Sequence, residues 1–185
     1  MGSARRICVF CASASSTPSE YITLAEQFGS ELVAQGFDLV WGGCKSAAMG
    51  ALAQGVRARG GRAVGIIPGY MREEGLAYEE ADELIVVSNL LERKLRMKEL
   101  SHAFVALPGG IGTLDELIAQ LADAVVDSRR GVVPAKIAIL NWEGFYANLE
   151  QLLEGLYARG LAHGSYRTLY RILPTIENVF SYLKQ

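Results

Sequence analysis

The densest chemical signal in the chain is Leu107-Pro108-Gly109-Gly110-Ile111-Gly112-Thr113-Leu114-Asp115-Glu116, which joins an apolar run directly to a helical pattern. Its three glycines fall within four positions. Lacking Cβ atoms, they let backbone N–H groups come close to an anion, and the helix start that follows adds oriented N–H groups and positive dipole character. A phosphate fits such a loop. The same residues also read as a plain turn with a helix cap, because Thr113-x-x-Glu116 has the spacing of a capping box, in which Glu116 is structural. Placed in a first helical turn, Glu116 is expected to be ionised, since a helix N-terminus and any nearby arginine stabilise negative charge. One helix and one strand upstream, Arg93, Lys94 and Met97 share one side of a helix, and read alone the two cations suit a solvated face as well as a ligand site.

These groups need elements that bring them together. Arg5 to Cys11 reads as a buried strand, and Pro18 to Gln35 carries Tyr21, Leu24, Ala25, Phe28 and Leu32 at the spacing of an amphipathic helix, which Gly36 ends. Phe37 to Trp41 is a second strand, Gly42-Gly43 a sharp turn, Ala47 to Arg59 a second helix and Ala63 to Ile67 a third strand. Pro68 to Asp82, with Glu73, Glu74, Glu79 and Glu80, is expected to be a surface excursion rather than a core element. Glu83 to Val87, Ala103 to Leu107 and Ala135 to Leu140 read as strands; Leu90 to Leu100, Leu114 to Val126, Phe145 to Tyr157 and Thr175 to Leu183 read as helices. Strands rich in Val and Ile that alternate with helices predict an α/β fold: a Rossmann-like, doubly wound parallel sheet with helices on both faces, in a single domain over residues 1–185. Ligands in such sheets sit at the carboxyl ends of strands, which singles out the loops Cys11 to Ser16, Trp41 to Lys45 and Leu107 to Thr113.

Composition narrows the partners. Half of the 185 residues are hydrophobic, enough for one sizeable core, and 18 Lys and Arg against 20 Asp and Glu leave no electrostatic reason to expect nucleic acid or a membrane surface. The apolar run Ile7 to Phe10 after Met1-Gly2-Ser3-Ala4-Arg5-Arg6 is too short for a secretory signal, so a cytoplasmic location is expected. Cys8, Cys11 and Cys44 then read as reduced, buried thiols; the first two lie three apart in a strand and point to opposite faces, which prevents a shared metal or disulfide. With His102 and His163 as the only histidines, no zinc site is expected. The loop Cys11-Ala12-Ser13-Ala14-Ser15-Ser16 lacks the G-x-G-x-x-G of a dinucleotide-binding first strand, and no nucleophile-elbow sequence is present.

The Pro-Gly-Gly-x-Gly-Thr-x-x-Glu string resembles the signature of the LONELY GUY family of cytokinin riboside 5′-monophosphate phosphoribohydrolases, whose members often carry the label lysine decarboxylase. Arg93-Lys94 with Met97 is similar to that family's Arg-Lys-x-x-Met element. So are Ile7 to Ser13, Trp41-Gly42-Gly43, Met49-Gly50, Val64 to Pro68, and Asn141 with Gly144-Phe145-Tyr146, so the resemblance covers most of the chain. Departures fall at Cys44, where the family has a third glycine, at Leu91, in place of a histidine before the Arg-Lys pair, and in Ala122 to Arg130, which lacks the family's tryptophan and glutamine.

What the resemblance implies is hydrolysis of the N-glycosidic bond of a nucleoside 5′-monophosphate, AMP or a cytokinin riboside 5′-monophosphate, giving free base and ribose 5-phosphate. It implies no cofactor. Glu116 and Arg93 take the catalytic positions: an ionised carboxylate near C1′ stabilises oxocarbenium-like charge and orients or deprotonates water, while the arginine holds the phosphate or polarises the leaving base. Gly109, Gly110, Gly112 and Thr113 are assigned to the 5′-phosphate, with Lys94, Ser13 and Gly43 as further substrate contacts. The family also implies a homodimer. The alternative is a non-catalytic nucleotide or cofactor carrier of the same fold, which needs the glycine loop but not a carboxylate near C1′. Lysine decarboxylation has no support, since nothing marks a Schiff-base lysine with phosphate-binding partners.

Overall fold

The computed structural model describes residues 5–185, so the part of the no-signal expectation that rests on Met1 to Ala4 lies outside the described residues. In chain order the elements are β1 (Arg5–Phe10), α1 (Ser19–Ala34), β2 (Phe37–Trp41), α2 (Ala47–Ala58), β3 (Ala63–Pro68), α3 (Gly69–Glu73), β4 (Glu83–Val87), α4 (Leu90–Glu99), β5 (Ala103–Ala106), α5 (Ile111–Arg129), β6 (Lys136–Leu140), α6 (Ala147–Ala158), β7 (Tyr170–Leu173) and α7 (Ile176–Lys184). The strands form one sheet in the order β4-β3-β2-β1-β5-β6-β7, and every pairing is parallel.

Strand periodicity divides the core. Ile7, Val9, Leu39, Trp41, Val105 and Leu140 face a layer with Leu24, Phe28, Leu52 and Phe180 from α1, α2 and α7. Their neighbours Cys8, Phe10, Val40, Phe104 and Ile139 face Met97, Leu117 and Leu153 from α4, α5 and α6. Because successive side chains on a strand point to opposite faces, near-continuous apolar strands end up covered on both sides, as a doubly wound α/β sheet requires. Cys8 and Cys11 fall in different layers, as their spacing predicts, and all three cysteines are buried free thiols.

Strand order reverses between β1 and β5, so the loops leaving these two strands diverge and open a crevice. The loop after β2 lies at the same end because β2 runs parallel to β1, and α1 and α2 cross closely. A Cβ on Gly29 would lie 2.2 Å from the Leu52 carbonyl oxygen, and one on Gly55 would lie 2.1 Å from that of Glu26, so the two backbones touch where any side chain would wedge them apart.

Three expectations need correction. The last parallel strand, β7, leaves no mark in the sequence pattern: it is a four-residue edge strand containing Arg171, too short and polar for a period-2 signal. Pro68 to Asp82 is not wholly a surface excursion, since it contains α3 and then returns Ala77 and Tyr78 to the core, at 4% and 8% exposure. Ala77 bridges Cys44, the Tyr78 amide donates to the Gly43 carbonyl at 2.8 Å, and the Tyr78 ring meets Trp41 edge-on. Finally, α5 starts three residues earlier than the expected Leu114, which changes the reading of the glycine loop.

Candidate active site

The capping box is absent. Gly110 is the N-cap of α5 with no side-chain cap, Thr113 is already inside the first turn, and Glu116 lies in the second. The Leu114 amide is the first donor of the helix, reaching the Gly110 carbonyl at 3.1 Å, so the amides of Ile111, Gly112 and Thr113 have no helix carbonyl to bond. Donors of that kind, at the positive end of a helix dipole, attract anions. Thr113 is buried, and a Cβ on Gly109 would lie 2.2 Å from its hydroxyl oxygen. Gly109 is thus demanded by packing. Gly110 and Gly112 are different: a Cβ on either would meet nothing within 4 Å, so their missing side chains leave open space in front of the free amides.

That space is a crevice of about 210 Å³ between the ends of β1 and β5. Cys11 to Ala14 form one wall, Gly110 to Thr113 the other, and Met49, Arg93 and Glu116 the floor and side. A larger hollow of about 760 Å³ runs along Lys45, Arg57, Tyr78 and Glu79-Glu80, but Arg57 is paired with Glu80 there and Glu79 with Arg72. The smaller crevice is the better candidate because backbone donors, a carboxylate and an arginine converge on it.

Arg93 reaches the crevice from α4 by packing flat over the β2–α2 turn. Its Nε donates to the Ile66 carbonyl at 3.1 Å and its Nη2 to the Gly42 carbonyl at 3.1 Å, while Nη1 lies 3.4 Å from Glu116 Oε1. A Cβ on Gly42 would sit 1.5 Å from that Nη2, so the guanidinium occupies the space of the missing side chain. Both partners are well buried, Arg93 at 11% and Glu116 at 12% side-chain exposure. Burial raises the Glu116 pKa above the ordinary carboxylate value, the Arg93 charge opposes that rise, Asp115 adds to it and Lys94 offsets it. The expected first-turn placement therefore fails, since the helix N-terminus is a turn away, and the shift runs upward because desolvation outweighs the arginine.

Of the residues singled out by sequence, the structure brings Glu116, Arg93, Gly110, Gly112, Thr113 and Ser13 to one crevice. It leaves three behind. Lys94 points across α4 to α5, where its Nζ holds both Asp115 carboxylate oxygens at 2.9 and 3.0 Å. Gly43, at φ +68°, turns the chain in the left-handed region that glycine tolerates and packs its backbone against Ile66 and Ile67 behind the crevice. Gly109 supports Thr113 from the side. Sequence reasoning missed Met49, Ile111 and Gly42; Met49 and Gly42 lay in recognised motifs, but only the fold shows one lining the crevice and the other seating the arginine.

A family model described as "possible lysine decarboxylase" matches residues 49–183. A Mycobacterium tuberculosis protein named cytokinin riboside 5′-monophosphate phosphoribohydrolase is 42% identical over 154 residues, covering 83% of this chain and 80% of its own. An Arabidopsis thaliana protein of that name, LOG3, is 33% identical over 181 residues, covering 98% and 82%. Among solved structures, the molybdenum cofactor binding protein from Rippkaea orientalis aligns over 98% of this chain and 96% of its own, with a TM-score of 0.73 and 21% identity. At that identity the likeness shows the fold.

Proposed function

The chain belongs to the LONELY GUY family of cytokinin riboside 5′-monophosphate phosphoribohydrolases, and from that premise we infer that its crevice hydrolyses the N-glycosidic bond of a nucleoside 5′-monophosphate to free base and ribose 5-phosphate. The observation that carries this reading is the buried Arg93–Glu116 pair opening onto the same crevice as the uncapped start of α5. The amides of Ile111, Gly112 and Thr113 take the 5′-phosphate, and Ser13 faces it from the opposite wall. The ribose then extends toward Glu116. As the C1′–N bond breaks, its electron pair leaves with the base nitrogen, which takes a proton from solvent, and oxocarbenium-like charge grows at C1′. Ionised Glu116 stabilises that charge and takes a proton from the water that adds to C1′.

A carboxylate raised by burial suits the base role, because a pKa nearer the working pH makes proton capture more favourable. Arg93 has three protein oxygens around its fork, so its proposed role is to hold Glu116 in place and favour its charged form, in preference to carrying phosphate or base. No lysine lines the crevice, which speaks against decarboxylation through a lysine Schiff base. A pure carrier has no use for a desolvated ion pair beside its ligand, and turnover separates the two readings. AMP and a prenylated AMP are the first substrates to try. We further propose residues 1–185 as one nucleotide-binding domain, a homodimeric assembly, and a cytoplasmic location consistent with three free thiols. Among the described residues no helix is long and apolar enough to cross a membrane.

The test is a panel of nucleoside 5′-monophosphates with chromatographic detection of base and ribose 5-phosphate, run on wild type and Glu116→Gln. Glutamine keeps the volume and an acceptor for Arg93, so the variant is expected to fold with a loss of at least about 100-fold in kcat. A Glu116→Gln protein that releases base at the wild-type rate removes Glu116 from the chemistry.

A further inference from the structure

The phosphate loop begins where β5 leaves the sheet, and that departure point has an unusual partner. The Leu107 amide still donates to the Phe10 carbonyl of β1 at 2.9 Å, but the register of β5 with β6 ends at Ala106 against Ile139. Just past β6, the Asn141 amide continues the ladder with β7, donating to the Leu173 carbonyl at 2.8 Å. The Leu107 carbonyl accepts from the Tyr146 hydroxyl, at 2.7 Å. Pro108 follows, a residue with no N–H of its own.

Tyr146 is aimed inward by a tightly specified turn. Asn141 Oδ1 accepts from the Tyr146 amide at 2.7 Å, and Glu143 and Gly144 take positive φ values of 50° and 76°, reversing the chain between them. Phe145 packs edge-on against the Tyr146 ring at 4.9 Å and against Tyr21 of α1 at 5.7 Å. Tyr146 itself is 2% exposed and does not line the crevice. Its burial raises the phenol pKa, so the hydroxyl stays a donor.

We propose that Tyr146 is a positioning residue for phosphate binding: its hydroxyl holds the Leu107 carbonyl and so fixes the point from which Pro108-Gly109-Gly110 swings out to present the amides of α5. The proposal rests on the phosphate reading of that loop given above. It makes Asn141-x-x-Gly144-Phe145-Tyr146, a stretch with no contact to the crevice, part of the binding machinery through a single carbonyl. Loss of the hydroxyl loosens the loop, and because the amides grip the phosphate in ground state and transition state alike, the effect falls on binding.

The experiment compares wild type, Tyr146→Phe and Asn141→Ala by KM and kcat on AMP and by calorimetric titration with ribose 5-phosphate. Tyr146→Phe is expected to raise KM and the ribose 5-phosphate Kd together, roughly tenfold, with kcat within about twofold of wild type. Asn141→Ala keeps the hydroxyl but frees the turn, and should shift both in the same direction; it decides the matter if Tyr146→Phe does not fold. Unchanged KM and Kd, or a fall confined to kcat, overturns the proposal. If wild type binds ribose 5-phosphate but releases no base from AMP, the hydrolase reading fails while the Kd comparison still decides the role of Tyr146. If wild type binds no ribose 5-phosphate, both fall.

Discussion

Glycines 109, 110 and 112 look alike in the sequence, yet they carry different physical demands. At Gly109 a methyl group collides with the Thr113 hydroxyl, so substitution there disturbs the loop itself. At Gly112 a side chain meets open space, so Gly112→Val should leave thermal stability near wild type while raising KM for AMP at least about tenfold, by filling the volume proposed for the phosphate. A stable Gly112→Val protein with wild-type KM places the phosphate elsewhere. Arg93 makes a second residue-level case. Its planar fork reaches Ile66, Gly42 and Glu116 at once, which a lysine ammonium cannot reproduce. Arg93→Lys is therefore expected to lose about 1–3 kcal/mol of stability from backbone carbonyls left short of a donor. It should also slow hydrolysis by at least about 100-fold through a misplaced Glu116. Denaturant titration and steady-state rates check the two halves separately.

At the scale of elements, α4 and α5 are joined by a ladder of ion pairs with every cation on α4 and every anion on α5: Arg93–Glu116, Lys94–Asp115 and Lys98–Asp123. Only the first is buried, and the second flanks it. In the proposed mechanism Glu116 must be ionised to act as base, so activity should be lost as pH falls through its raised pKa and the acidic limb of kcat/KM should lie above the range of an ordinary carboxylate. Lys94 lowers that pKa and Asp115 raises it. Lys94→Met should consequently move the limb to higher pH and Asp115→Asn to lower pH, with rates at the plateau within about twofold of wild type. Shifts of the same sign in both variants refute the electrostatic account. This coupling was hidden from sequence reasoning for a definite reason. The motifs supply Arg93, Lys94 and Glu116 as types, but the capping-box spacing at Thr113 puts the start of α5 three residues late, because no side chain marks the glycine cap at Gly110. Only the true start puts Glu116 in the second turn, facing α4 and out of water.

Across the whole molecule, the alternation of apolar strands and helices was readable because burial on both faces leaves little else for such strands to be. Strand order was not, since nothing local in β1 or β5 says that they are neighbours across the switch point; nor was β7, whose pairing with β6 is specified by tertiary packing. What the monomer leaves uncovered is equally hard to read from periodicity. Leu91 and Leu95, one turn apart on α4, are 75% and 52% exposed, and Ile111 and Ile118, two turns apart on α5, are 83% and 44% exposed. Exposed apolar residues on two helices tied by ion pairs are of the kind that marks an interface. A homodimer through this face, burying about 800 Å² per protomer, would also place the partner beside the crevice mouth, where Ile111 stands. Leu95→Asp is then expected to sediment as a monomer at concentrations where wild type sediments as a dimer, because a carboxylate at the centre of an apolar contact has no partner to offset its desolvation. If the crevice works only when covered, specific activity on AMP should fall with the dimer fraction in both proteins on dilution. A Leu95→Asp protein that sediments as wild type does would move the interface off α4 and α5.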